Sequence, residues 1–252
     1  MILDFSPRAI ALDHLLRNLD DLGAPRGLDD LRAKYQRLRE VGQVTPPREL
    51  ALAAMEAGRD PWTDPEVVRA VVAVMARPNL DDLEQAEHAA TMELYRSEAP
   101  AILAGWTKRF DEAARLVSEA VERNVDLDGD AREILNRGGD TAAVFVAARQ
   151  AQDEMLRIMR GFRSLSTIVG VDPTDLADAY ILADLPPEQW FERHRAQRSG
   201  REAASPTELA REGHRLRLPT FEDVKSMRAL AHTAEAERKA GMHQRAVARV
   251  FG

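Results

Sequence analysis

The carboxylates of residues 126–130, Asp-Leu-Asp-Gly-Asp, are spaced like the first ligands of a calcium-binding loop. In an EF-hand loop a glycine at position six makes the turn, and a bidentate glutamate stands at position twelve. Counted from Asp126, these positions hold Ala131 and Arg137. Because the glycine and the last carboxylate are both missing, we interpret the segment as a polar turn in which Asp130 caps the next helix.

A second group of possible metal ligands consists of Glu84, Glu87 and His88. Di-metal centres in helical bundles use Glu-x-x-His pairs on facing helices. The residue three positions before His88 is Gln85, so the pair is out of register. We therefore interpret these residues as a solvated helix face and predict no metal and no cofactor.

Motifs for covalent catalysis and phosphate binding are also missing from the sequence. There is no G-x-S-x-G, no HExxH and no cysteine, so the usual serine elbow, zinc protease helix and thiolate nucleophile are excluded. Gly138-Gly139 follow a helical pattern and have no lysine after them, unlike a phosphate loop. We predict a protein that is not an enzyme and has no small-molecule substrate.

Arginines gather in the last quarter of the chain. Residues 193–252 hold 13 Lys and Arg but only 7 Asp and Glu, which gives a net charge of +6. The rest of the chain therefore carries −13, and the whole chain carries −7. This part can dock on the acidic body of its own chain or of a neighbouring subunit, or it can bind a separate partner. The predicted partner-binding residues are Arg193, Arg195, Arg198, Arg201, Arg211, Arg215 and Arg217.

Nucleic acid is the alternative partner for these arginines, because their charge has the right sign. Glu202, Glu208 and Glu212 dilute that charge, however. The stretch 214–219 is also longer than the turn of a helix-turn-helix motif. We favour a protein partner and keep nucleic-acid binding as the second hypothesis.

The elements that position these groups follow from apolar periodicity. Two long helical patterns, near 79–124 and 141–169, carry apolar residues at alternating steps of three and four, and such stripes favour packing against each other. We predict an antiparallel helical hairpin. Its packing residues are Trp106, Phe110 and Val117 in the first arm and Phe145, Met155, Met159 and Phe162 in the second.

The predicted fold is all-α, a helical bundle built around this hairpin. It has three segments: an N-terminal helical subdomain at 1–78, the hairpin at 79–170 and a basic, helical C-terminal region at 171–252. We expect Thr63 and Glu66 to form a capping box before a valine-rich helix, and Pro100 to kink or restart the first arm. The apolar stripe of the second arm is wide, which suits either self-association or packing against several helices of the same chain.

Composition is consistent with a packed helical protein. The chain has 44% hydrophobic, 31% charged and 5% aromatic residues, and no apolar run long enough to cross a membrane. An acidic helical body with a basic C-terminal element resembles the charge layout of phage scaffolding proteins, in which the basic element binds the coat protein. The resemblance implies an interaction or assembly role in the cytoplasm, or in a virion if the gene belongs to a phage.

Overall fold

The computed structural model describes residues 6–41, 46–75, 79–136, 138–171, 178–186, 189, 193, 205–230 and 233. Within these ranges the regular structure is helical, apart from one antiparallel bridge between Ala183 and Leu216. The predicted all-α bundle built around a long antiparallel hairpin is confirmed. The helices are α1 (Pro7–Arg17), α2 (Leu19–Leu22), α3 (Leu28–Val41), α4 (Pro47–Glu56), α5 (Pro65–Met75), α6 (Leu80–Glu122), α7 (Ala131–Asn136), α8 (Gly139–Val169), α9 (Asp178–Leu182) and α10 (Pro206–Arg211), and residues 221–230 are also helical.

The described residues fall into two compact units. The first unit holds residues 24–98, and the second holds 6–23 together with those from 99 onward. Helix α6 belongs to the first unit up to residue 98 and to the second from residue 99. These units do not follow the three segments 1–78, 79–170 and 171–252, which stay a prediction about domain organisation.

The second unit is organised around the hairpin of α6 and α8. Arg109 on α6 donates through Nε to a carboxylate oxygen of Glu154 on α8 at 2.8 Å. Nearer the connection, Arg149 on α8 donates to the carbonyl of Leu127 at 3.3 Å. The contact residue on α8 falls from 154 to 149 while its partner rises from 109 to 127, as expected when two helices run antiparallel. The seven predicted packing residues are all buried: Trp106, Phe110, Val117, Phe145, Met155, Met159 and Phe162.

The remaining width of the α8 stripe is covered by short helices of the same unit. Helices α1, α2, α7, α9 and α10 all contact α8. Leu12 and Leu15 of α1 are fully buried, as are Leu165 and Ile168 of α8. Of the two uses foreseen for the wide stripe, the structure shows packing within the chain.

Helix α8 lies close to its neighbours at Gly161. A Cβ atom at this position would lie 2.8 and 2.9 Å from the two terminal methyls of Leu22 and 3.2 Å from the ring of Trp106. The indole N–H of Trp106 donates to the carbonyl of Leu22 at 2.7 Å. A glycine here therefore lets α8 lie against a fixed pair of buried side chains.

The predicted restart of the helix at Pro100 is wrong, because α6 continues through it from Leu80 to Glu122, and a kink there stays a prediction. Pro100 lies on the exposed side of the helix, whereas Tyr95, Ala99 and Leu103 are buried. Packing on both sides of the proline offsets the loss of one backbone hydrogen bond. Ser97 does not cap a new helix, since its hydroxyl donates to the carbonyl of Leu94 at 3.0 Å.

In the first unit, Leu28 of α3 and Leu83 and Tyr95 of the first part of α6 are buried. Arg39 on α3 forms an ion pair with Glu87 on α6. Glu87, compared from its sequence context with a di-metal ligand and assigned to a solvated helix face, is thus paired with an arginine of its own unit. No described helix is both long enough and apolar enough to span a membrane.

Candidate interaction surface

Helices α4 and α5 pack against each other in the first unit. Ala54 of α4 and Val67 and Ala70 of α5 are buried. These small and β-branched side chains let the two helices come close. The contact buries only one side of each helix. The remaining apolar residues of the pair are left for solvent or for a partner.

Asp64 fixes the start of α5. Its carboxylate accepts hydrogen bonds from the backbone N–H groups of Glu66 at 2.9 Å and Val67 at 3.4 Å, and it forms an ion pair with Arg59. The predicted capping box at Thr63 is therefore wrong by one residue. Pro65 occupies the first turn, where its missing N–H is harmless, and the residue before it is then the natural cap.

The connection between α4 and α5 is held by Asp60. Its side chain accepts the backbone N–H of Trp62 at 3.1 Å and the hydroxyl of Thr63 at 3.3 Å, and its carbonyl accepts the N–H of Thr63 at 3.2 Å. Despite this ordered backbone, 86% of the Trp62 surface is exposed. Because hydrogen bonds already fix the backbone of this loop, a partner that binds Trp62 has little backbone freedom left to remove.

Four apolar residues of α5 form an exposed stripe. Val68, Val71, Val72 and Met75 are spaced at steps of three and four, so they lie on one helix face. Met75 is 82% exposed and Val72 is 58% exposed. We call these four residues the α5 stripe. A helix that is apolar on nearly all sides is normally buried, and α5 has only Glu66 and Arg69 as charged residues.

Further exposed apolar residues lie on the other helix of the pair. Leu52 is 52% exposed and Met55 is 62% exposed, both on α4. With Trp62 and the α5 stripe, they make up what we call the α4–α5 surface. Its seven residues expose on the order of 800 Å², close to the area that each partner contributes to a standard protein–protein interface.

The valine-rich helix α5 was predictable from the sequence, but the α4–α5 surface was not. The helical spacing of the valines was predicted correctly, and the stripe itself was visible in that spacing. Residue spacing alone does not show how much of a helix the rest of the chain will cover. The signal that could have found the surface is the near absence of charged residues in 65–75, which is typical of a helix covered by other protein groups.

The arginines predicted to bind a partner are mostly engaged within the second unit where the structure describes them. Arg211 reaches the Asp126 and Asp128 carboxylates at 2.9 Å each. Arg193 pairs with Glu212, and Arg217 pairs with Asp184 and, at 3.3 Å, with Asp223. The side chain of Arg215 is exposed. Three of the predicted residues lie outside the described ranges: Arg195, Arg198 and Arg201.

The aspartates first compared with a calcium loop are therefore occupied by protein groups. Besides meeting Arg211, the Asp126 carboxylate accepts the backbone N–H of Asp128 at 3.2 Å. Asp130 accepts the N–H of Arg132 at 2.8 Å, as expected of the predicted helix cap. Across the described residues, no group of three or more potential ligands is arranged to hold a metal ion.

A polar cavity of about 300 Å³ in the second unit is lined by groups that include His14, Asp153 and Arg160. Beside it, Nδ1 of His14 lies 3.0 Å from the hydroxyl of Ser164. Burial, and then the charge of Arg160, lowers the pKa of His14, which favours the neutral imidazole. Sequence analysis missed this contact because 150 residues separate its partners and no motif links them.

Nucleophilic catalysis by this serine would need an acid that orients the imidazole. Asp13 is the acid that acts electrostatically on His14, and its carboxylate is 2.9 Å from a guanidinium nitrogen of Arg17. The His14–Ser164 contact therefore resembles a bond that ties α1 to α8 more than a catalytic pair. Comparisons of the chain with protein-family models, curated proteins and solved structures found no match.

Proposed function

We propose that this protein is a non-enzymatic, helical assembly protein that binds other protein chains through the α4–α5 surface. The observation that carries the proposal is the exposed α5 stripe on a helix that has two charged residues in eleven. Its action would be to bring protein subunits together. The proposed location is the cytoplasm, or a virion if the gene is a phage gene.

The size of the hydrophobic term supports this role. Covering roughly 800 Å² of mainly apolar surface gives on the order of 20 kcal/mol at about 25 cal/mol per Å². Association costs on the order of 4–15 kcal/mol in lost translational and rotational freedom, and ordering of side chains costs more. The remainder, about 5–16 kcal/mol before the ordering of side chains is subtracted, is favourable for association.

The kind of residue exposed also supports a protein partner. Tryptophan and methionine are enriched at the centres of protein–protein interfaces, while lysine and glutamate are depleted there. Trp62 and Met75 are the two most exposed large apolar residues of the described chain, at 86% and 82%. A nucleic-acid surface would instead present unpaired cations beside its aromatic residues.

The contacts of the arginines support the same choice of surface. Arg193, Arg211 and Arg217 meet carboxylates of their own unit, so much of their charge is already used inside the chain. A partner that binds these residues must first compete with those ion pairs. The α4–α5 surface has no such competitor among the described residues of the first unit.

Site-specific photo-crosslinking in the cells that make the protein tests the proposal. A photoreactive phenylalanine analogue in place of Val72 should form adducts with protein, identified by mass spectrometry. The matched control carries the same analogue in place of Val146, a 42% exposed valine of α8 in the second unit. Adducts at position 72 that resist nuclease and are missing at position 146 are expected. Equal labelling at both positions, or adducts that nuclease removes, would refute the proposal.

A further inference from the structure

We infer that the α4–α5 surface binds a second copy of this chain, with the two α5 helices paired antiparallel across a two-fold axis. This inference rests on the proposed function and names its partner. Three features support a second copy: the register of the α5 stripe, the distribution of charge around it, and the exposed area.

The register of the stripe suits pairing with itself. Val68 and Met75 stand at its two ends, and Val71 and Val72 lie at its centre. An axis between residues 71 and 72 places Val68 opposite the partner's Met75 and Val71 opposite the partner's Val72. Each branched valine at one end then meets a flexible methionine at the other, and methionine fills irregular gaps well.

Trp62 extends this complementarity. It lies three residues before Pro65, at the N-terminal end of α5, whereas Met75 is the last residue of the helix. In an antiparallel pair the N-terminal end of one α5 adjoins the C-terminal end of the other. The two-fold axis therefore brings each exposed indole toward the partner's Met75, where sulfur–aromatic contact is favourable.

Charge does not oppose the pairing. The α5 stripe contains no ionised group, and the two charged residues of α5, Glu66 and Arg69, have opposite sign. Two copies of an uncharged stripe meet without like-charge repulsion. Binding driven by electrostatic attraction would instead need a surface whose charges are mostly of one sign.

The exposed area has the size that a dimer needs. Each copy of the α4–α5 surface exposes on the order of 800 Å², so two copies together reach the roughly 1,600 Å² of a standard interface. The summed exposure of the seven side chains therefore matches the area that each partner contributes to a specific pair.

Sedimentation at chain concentrations of about 1–100 µM tests the stoichiometry, because this range covers micromolar and tighter dissociation constants. We expect a mass approaching twice the 28.1 kDa of one chain. Val72→Glu should weaken association by about 100-fold, since pairing would bury an unpaired carboxylate at the axis. Val146→Glu, the same change on an exposed valine of α8, should leave the mass unchanged.

Folding of the variants is checked by far-UV circular dichroism. Met75→Glu is a second variant that should also give monomers, and its side chain is 82% exposed within the chain, so the fold should accept the charge. A wild-type chain that stays at 28.1 kDa over the whole range overturns the inference. So does a dimer that Val72→Glu and Met75→Glu leave intact.

Cysteine pairing tests the orientation, and the absence of any native cysteine makes the experiment clean. Val72→Cys should form disulfide-linked dimers under mild oxidation, because two residues at the axis come within the roughly 7 Å between Cα atoms that a disulfide allows. Val68→Cys mixed with Met75→Cys should give a mixed disulfide. Val68→Cys alone should stay unlinked, since antiparallel pairing offsets the two copies by about 10 Å.

Self-linking of Val68→Cys without linking to Met75→Cys would mean parallel pairing and would refute the inferred geometry. Failure of this inference is distinguishable from failure of the proposed function. Photo-adducts at position 72 to a different protein, combined with a monomeric purified chain, would retain the proposed function and reject the second copy. Adducts to the chain itself support both.

Discussion

Replacement of Gly161 by alanine offers a direct test of the helix packing in the second unit. Alanine favours a helix over glycine by about 1 kcal/mol, so the change would stabilise an open helix position. At Gly161, however, the added Cβ would lie 2.8 and 2.9 Å from the methyls of Leu22 and 3.2 Å from Trp106. Overpacking of this kind costs about 1–3 kcal/mol.

The neighbours of Gly161 have little room to yield. Leu22 is 3% exposed and Trp106 is 2% exposed, and the hydrogen bond from the indole to the Leu22 carbonyl fixes their relative position. We therefore expect the steric cost to exceed the gain in helix propensity. Gly161→Ala should lower the free energy of unfolding by about 1–2 kcal/mol.

Gly105 on α6 provides a matched control. It is also a glycine inside a long helix, but an added Cβ would meet nothing within 4 Å. Gly105→Ala should raise the free energy of unfolding by about 1 kcal/mol. Urea denaturation followed by far-UV circular dichroism measures both variants. If Gly161→Ala is as stable as Gly105→Ala, the close approach of α8 to Leu22 and Trp106 is refuted.

Four further changes test local features. Asp64→Ala should destabilise the chain by about 1–2 kcal/mol, because the α5 cap is lost. The control Thr63→Ala should change the free energy of unfolding by less than about 0.5 kcal/mol. Equal effects of the two variants in urea denaturation would contradict Asp64 as the cap. Thr207→Val should raise the thermal midpoint, because the Thr207 hydroxyl is buried without a hydrogen-bond partner, and a lower midpoint would argue for an unseen partner. Arg211→Gln should cost at most about 1 kcal/mol at low salt and almost nothing at high salt, and a salt-independent loss would rule out a surface ion-pair role. Burial raises the pKa of Tyr95 to about 12, against a smaller opposing effect of Arg32. Stability should therefore be fully present below the unfolded pKa near 10 and fall as the pH rises toward 12, and a Tyr95 phenolate signal near pH 10 in the folded protein would refute this.

The hairpin was predictable from the sequence because its signal is repeated over many turns. Phe145, Met155 and Phe162 recur at heptad spacing, and each is buried in the structure. A long stripe of this kind contains enough residues to outweigh any local exception. The same stripe did not say which helices would cover it, since α1, which makes much of the contact, comes from a distant part of the chain.

Single-residue rules predicted the helix boundaries less well. Pro100 was expected to kink or restart α6, but it lies on the exposed face while buried residues on both sides keep the helix continuous, so no restart occurs. Thr63 was expected to cap α5, but Asp64 stands next to Pro65 and has the stronger geometry for a cap. In both cases the local rule was correct and its tertiary or positional context was missing.

The function-bearing features depended on what lies next to each residue in space. A charge count identified the arginines but not that Arg211 meets Asp126 and Asp128. Periodicity identified the valines of α5 but not their exposure. Contacts between residues far apart in the chain, and surfaces left uncovered, are properties of the folded chain that residue spacing does not contain.

The contact of α1 with α8 has a consequence for synthesis on the ribosome. His14 and Ser164 are separated by 150 residues, which take roughly 8–30 s to translate at about 5–20 residues per second. For nearly all of that interval Leu12 and Leu15 have been made but lack the α8 face that covers them, and residues 24–98 are completed within the same interval. The first helix of the chain is therefore a natural client for a chaperone, and slowing translation before residue 164 should lengthen its exposure to proteases.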